Sequence, residues 1–111
     1  MNTTTEKMGQ AAVFHCAGDL NVDSLEAFRH VLDHALEDRQ VRDAVLDFHG
    51  VPFVDSAGWE CLLDLQERLA ERLGQVKLVG VDENVAKILE ITRLAEAFDC
   101  YGDLATAVKV R

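Results

Sequence analysis

The stretch VLDFHGVPFVDSAGW, Val45 to Trp59, decides how this chain is read. The apolar run Ala44 to Phe48 has the length and content of a buried strand, and Pro52 breaks it. From Ala57 to Leu73 apolar residues return at helical spacing, at Cys61, Leu62, Leu65, Leu69 and Leu73. A strand therefore passes through a short turn into a helix, and Ser56 stands at the first turn of that helix, between Asp55 and the pair Ala57-Gly58. Backbone N–H groups there lack intrahelical partners and the helix dipole favours negative charge. An oxygen or a phosphate on residue 56 is well accommodated at such a place.

Working outward, Val13 to Ala17 is a short strand ended by Gly18, and the polar turn Asp19 to Ser24 leads into a helix striped by Leu25, Phe28, Leu32, Ala35 and Leu36. Asp23 with Glu26 three residues later has the form of an N-terminal capping pair, with Asn21 and Ser24 as alternative caps. Val41 to Phe48, the helix Ala57 to Leu73, Gly74 as helix stop and Val76 to Val81 form one strand–helix–strand unit. Such a unit implies a parallel pair with a right-handed crossover. Glu83 to Thr92 is a further helix with Val85, Ile88 and Leu89 inward, Phe98 to Tyr101 an edge strand, and Asp103 to Val108 a last helix. No element is assigned to the first ten residues. The expected fold is α/β: one domain over residues 1–111, with a mixed, mostly parallel sheet of four to five strands and about four helices mainly on one face.

Composition narrows the function. The chain has 111 residues, 49% of them hydrophobic, enough for one compact core and too few for a second domain. Its formal charge is −9, and no basic cluster occurs, which argues against nucleic acid and against an anionic membrane surface. No run of eighteen apolar residues and no signal-peptide core is visible, so neither membrane insertion nor export is expected and the cytoplasm is the expected compartment. The acidity suits a basic protein surface. Cys16, Cys61 and Cys100 are far apart and odd in number, as reduced structural thiols are.

The segment VLDFHGVPFVDSAG resembles the signature of STAS domains, the group of the bacterial anti-sigma factor antagonists, in which a strand ends in an Asp-Ser-x-Gly turn opening the second main helix. Gly18-Asp-Leu-Asn21 is similar to the family's Gly-Glu-Leu-Asp turn, VKLVGV to its fourth strand, and ITRLAEAFDCYGDLATAV to its C-terminal region. The resemblance implies a regulatory switch without catalysis of its own. By it, unphosphorylated protein binds an anti-sigma factor, a kinase (often the anti-sigma factor itself) phosphorylates Ser56, and a phosphatase reverses this. The implied partner surface comprises Asn21, Asp55, Ser56, Ala57, Gly58 and Trp59. Two residues depart from the family pattern: Asn21 where Asp is usual, and Trp59 where a small or medium aliphatic residue is common. Similar small STAS subunits also bind the ATPase of ABC-type lipid-transport systems, which is one alternative. A nucleotide- or small-ligand-binding sensor is another, and a nonpolar pocket near Asn21 and Ser56 would mark it.

Each residue also has a plainer reading. Ser56 could simply be an N-cap, worth about 1 kcal/mol over Ala. The reciprocal Glu or Gln of a capping box is missing, because Trp59 occupies that position. Asp55 can hold the turn by accepting backbone N–H bonds. Gly58 lets another backbone approach closely. Trp59, the only tryptophan, is expected to be partly buried, bracing the turn, with an exposed edge toward the partner. His30 and His34 share a helical spacing that metals use, yet no Glu or Cys completes a set, and a solvated face is the better reading. No phosphate loop, nucleophile elbow or carboxylate pair is present, so no catalytic residue, cofactor or metal is expected, and a hydrolase is remote.

Overall fold

The computed structural model describes residues 1–109. Its elements, in chain order, are β1 (Asn2–Met8), β2 (Ala11–Ala17), α1 (Leu25–Leu36), β3 (Asp43–Gly50), α2 (Ser56–Ala70), β4 (Val76–Val79), α3 (Glu83–Ile91), a 3₁₀ turn (Leu94–Glu96), β5 (Asp99–Tyr101) and α4 (Leu104–Lys109). The five strands lie in the order β1-β2-β3-β4-β5, with β1 antiparallel to β2 and the other pairs parallel. This is the expected mixed, mostly parallel sheet. The N-terminal strand was not foreseen: it pairs with β2 from Asn2 opposite Ala17 to Met8 opposite Ala11, yet six of its seven residues are exposed.

Alternation along the strands divides the core into two layers. Ala12, Phe14, Cys16, Ala44, Leu46, Phe48, Val76 and Leu78 meet α1, α2 and α3 on one face. Ala11, Val13, Val45 and Val79 meet α4 on the other. Fully burying one Leu or Phe contributes roughly 1.5–3 kcal/mol, so the thick face, with Phe14, Phe28, Phe48, Leu62 and Leu65 at 0–1% exposure, dominates stability. The thin face contains a buried cation: Lys77, 1% exposed, donates from Nζ to the Ala107 carbonyl at 2.8 Å and lies 5.8 Å from the Tyr101 ring centroid. It thereby ties the last turn of α4 to β4. Arg72 does similar work at the other end, donating to the Leu36 carbonyl at 2.7 Å and the Val41 carbonyl at 3.0 Å, so the end of α2 closes the end of α1.

Gly74 stands just past the end of α2, where a helix stop is expected. Gly74 does not supply the left-handed residue; Leu73 does, with φ 62° and 85% exposure. The amide of Leu73 bonds the Ala70 carbonyl and that of Gly74 the Leu69 carbonyl at 2.8 Å, a Schellman closure with leucine where glycine is preferred. Gly74 is required sterically, because a Cβ there would fall on the Arg42 carbonyl as the chain enters β4. Leu73→Gly should therefore stabilise the domain by about 1 kcal/mol, while Gly74→Ala should destabilise it; urea unfolding midpoints measure both.

His15 links three strands, with Nε2 2.9 Å from Glu6 Oε1 on β1 and Nδ1 3.0 Å from Asp47 Oδ2 on β3. Hydrogen bonds to Glu6 and then to Asp47 raise its pKa above the ordinary value of 6.5. Burial alone would raise Asp47, but hydrogen bonds from His49 and His15 hold it below the usual carboxylate range, so it loses its charge only in acid. The His15 contribution is complete below about pH 6.5 and is lost as pH rises through the raised folded-state pKa. Unfolding midpoints should thus fall between mildly acidic and mildly alkaline buffer, and His15→Gln should flatten that slope.

Candidate functional site

Two loops at the same end of the sheet are fastened together before either presents a side chain. Gly18 N donates to the Gly50 carbonyl at 2.8 Å, Leu20 N to the Phe53 carbonyl at 2.9 Å and Asp55 N to the Leu20 carbonyl at 3.0 Å. Leu20 and Val54 form a parallel bridge and are 0% and 6% exposed. The turn after β3 is thus a packed extension of the sheet.

Asp55, in extended conformation, is the N-cap of α2. Its Oδ1 accepts from Gly58 N at 2.8 Å and its Oδ2 from Val22 N at 3.0 Å, so one carboxylate serves the helix and the neighbouring loop. The turn-holding role expected of Asp55 is present, and it takes the capping role away from Ser56. Ser56 is the first helical residue, exposed, and its hydroxyl has no hydrogen-bond partner among the described residues. Gly58 is buried beneath the loops: a Cβ would stand 2.8 Å from Val54 Cγ1 and 3.0 Å from both Leu20 Cγ and the Leu20 carbonyl oxygen. That is the close approach expected of it.

Asn21 is half-buried and shapes the facing loop, its Oδ1 accepting from Asp23 N at 3.0 Å and Ser24 N at 3.1 Å. The Asp23–Glu26 capping pair does not form. Ser24 is the residue at the N-cap of α1, and its hydroxyl donates back to the Asp19 carbonyl at 2.9 Å instead of capping. Ala57 is half-buried beside Ser56.

Trp59 corrects one expectation. The ring is 6% exposed and packs at 6.3 Å and 31° against Phe98, so it braces the turn without the exposed edge expected of it. Its Nε1 is buried and has no acceptor among the described residues. Instead, Val22 and Phe53, at 68% and 53% exposure, are exposed apolar side chains of the two loops that Asp55 joins. Ile88 is also displaced from its expected inward position, at 43% exposure, and with Ile91, 72% exposed, it borders an apolar groove of about 230 Å³ against Phe53, Val54 and Trp59. The groove lies on the α3 side of the turn and Asn21 does not line it. Phe53 beside a proline, and Lys87-Ile88 facing Ile91 at helical spacing, were the sequence signals for it.

The remaining candidates stay apart. His30 and His34 are exposed, and His34 faces Glu37 at 3.6 Å. Among the described residues no three side chains of metal-ligating type converge, and no helix is long and apolar enough to cross a membrane. Cys16 and Cys61 are buried, Cys100 exposed, and burial pushes the Cys16 thiol up to about 12. Because Asp55 caps and Ser56 does not, Asp55→Ala should cost about 1–2 kcal/mol while Ser56→Ala stays within about 0.5 kcal/mol of the parent, read from urea unfolding.

Comparison with known proteins places this geometry. Solved structures that share the fold include an anti-sigma-factor antagonist (STAS) domain protein from Planctomyces limnophilus, at 22% identity and TM-score 0.86, covering 96% of this chain and 94% of that one. The Bacillus cell fate determinant SpoIIAA in its phosphorylated form matches at 19% identity and TM-score 0.75, covering 99% and 100%. The murine anion transporter Slc26a9 matches at 21% identity and TM-score 0.77 over 93% of this chain, but only 18% of the transporter. None of the curated protein sequences compared matches significantly. The family model for the STAS domain matches residues 2–107, the whole sheet and nearly every helix described above, and the chain therefore belongs to the STAS domain family.

Proposed function

We propose that this protein is a non-catalytic interaction switch of the anti-sigma factor antagonist kind, set by phosphorylation of Ser56. Unphosphorylated protein binds an anti-sigma factor through Ser56 and the surface around it; a serine kinase, often that same partner, adds the phosphate, and a phosphatase removes it. Catalysis resides in the partners, and the cytoplasm is where such an exchange takes place. The observation that carries this reading is the division of labour at the turn: Asp55 caps the helix, leaving the Ser56 hydroxyl exposed and without a structural duty. A phosphate there adds a charge of roughly −1.5 to −2 at the positive end of α2, which tolerates it, while the exposed apolar Val22 and Phe53 present the kind of surface that a charged group disrupts. The folded domain survives modification and the complex does not. Similarity of fold to SpoIIAA, a protein solved in a phosphorylated form, supports the reading.

Affinity purification on immobilised wild-type, Ser56→Ala and Ser56→Asp protein, with mass spectrometry of the retained proteins and of the Ser56 peptide, tests this. An anti-sigma factor of kinase type should be held by wild type and Ser56→Ala and released about tenfold more readily by Ser56→Asp. Equal retention by all three baits overturns the switch. Retention of a transport ATPase in place of a kinase selects the lipid-transport reading.

A further inference from the structure

The groove between the Ser56 turn and α3 shares Phe53 with the surface proposed for partner docking, and its other walls have a chemistry of their own. Its walls are Phe53, Val54, Trp59, Val85, Ile88 and Ile91, and its polar lining is confined to Asn84 and Lys87. No acidic side chain lines it, although the chain has 20 Asp and Glu against 11 Lys and Arg; Glu83 and Glu90 of the same helix border a neighbouring hollow, which meets the groove at Asn84 and Lys87. Lys87 is exposed at this otherwise apolar site and makes no ion pair among the described residues. Trp59, in one wall, keeps its Nε1 buried and without an acceptor among the described residues.

Apolar walls, one cation and no anion together select an amphiphilic anion. The size selects a small one: about 230 Å³ exceeds the roughly 150 Å³ that holds a benzene ring and falls short of the roughly 300 Å³ at which drug-sized pockets begin. We infer that this groove binds a small amphiphilic carboxylate, its short apolar tail lying between Phe53 and Ile88 and its carboxylate on Lys87. Val54 and Trp59 are shared between groove and turn, so the ligand lies against the segment that carries Ser56. The inference does not depend on the phosphorylation switch, since every group it uses lies outside the hydroxyl.

The single tryptophan makes the test direct. Sodium octanoate titrated into the uniformly ¹⁵N-labelled full chain should shift the one indole N–H resonance, together with the amides of Val54 and of Val85 to Ile91, along a saturable curve. Lys87→Glu, at an exposed position that leaves the fold intact, should weaken binding about tenfold, and 1-octanol should bind about tenfold more weakly than octanoate. Ile88→Glu should abolish the shifts. An indole resonance unmoved at millimolar octanoate overturns the proposal and leaves the groove to a protein partner. Equal binding of octanol, or equal binding by Lys87→Glu, overturns the role of charge and with it the ligand class. Shifts spread to Met8 and Leu73, exposed apolar residues outside the groove, mean unspecific association and overturn the site.

Discussion

The Asp55 carboxylate holds the Ser56 end of this molecule together. One oxygen satisfies Gly58 N at the start of α2 and the other satisfies Val22 N in the loop before α1, while the Asp55 amide bonds Leu20. Neither loop has regular structure of its own, and each would otherwise leave backbone groups unanswered near a packed core. The sharing works only because Gly58 lets the two loops touch, with Leu20 and Val54 close to its Cα. A charged cap and an absent side chain are thus one device, and it frees the next residue, Ser56, from any role in folding. Replacing the Ser56 hydroxyl leaves the hydrogen bonds that hold the turn untouched.

Where the sequence was legible, periodicity was strong. The stripe from Cys61 to Leu69 identified α2, and Pro52 before it placed Ser56 at the helix start, as found. β1 gave no such signal. Its residues, Asn-Thr-Thr-Thr-Glu-Lys-Met, bury almost nothing, so alternation has no face to report, and the strand exists because β2 offers a partner ladder. Trp59 failed differently: helical spacing put it at the edge of the buried stripe, but Phe98, some forty residues on, covers the ring. Gly74 marks the stop of α2 for a reason that its place in the sequence does not show. A glycine after a helix suggests a left-handed backbone, whereas here the Arg42 carbonyl forbids a side chain and Leu73 takes the unusual φ.

Charge is distributed with similar economy. Most ion pairs link elements at the surface, such as Lys7 to Asp38 and Arg68 to Asp33, each at 2.8 Å and largely exposed, and such pairs contribute little to stability. They leave an acidic exterior in which a positively charged spot stands out. The buried Lys77 is a different case, since its ammonium is placed where the carbonyl end of the short α4 helix needs a cation. Without that contact the thin layer would rest on Ala107, Leu104 and Val108 alone.

The order of the strands in space is the order of the strands in the chain, β1 through β5 without exchange. In most parallel sheets a central strand waits for neighbours from distant parts of the sequence; here every strand finds its predecessor already available. The β1–β2 hairpin, closed by the two residues Gly9-Gln10, can form as soon as it leaves the ribosome, and each later crossover adds one strand to a growing edge. At roughly 5–20 residues per second, synthesis is slower than such local pairing, so assembly can keep pace with translation. The Ser56 turn is completed midway, once α2 has emerged to accept the cap, while β5 and α4 are still to come. The Ser56 end of the domain is therefore built before the last strand and helix are made.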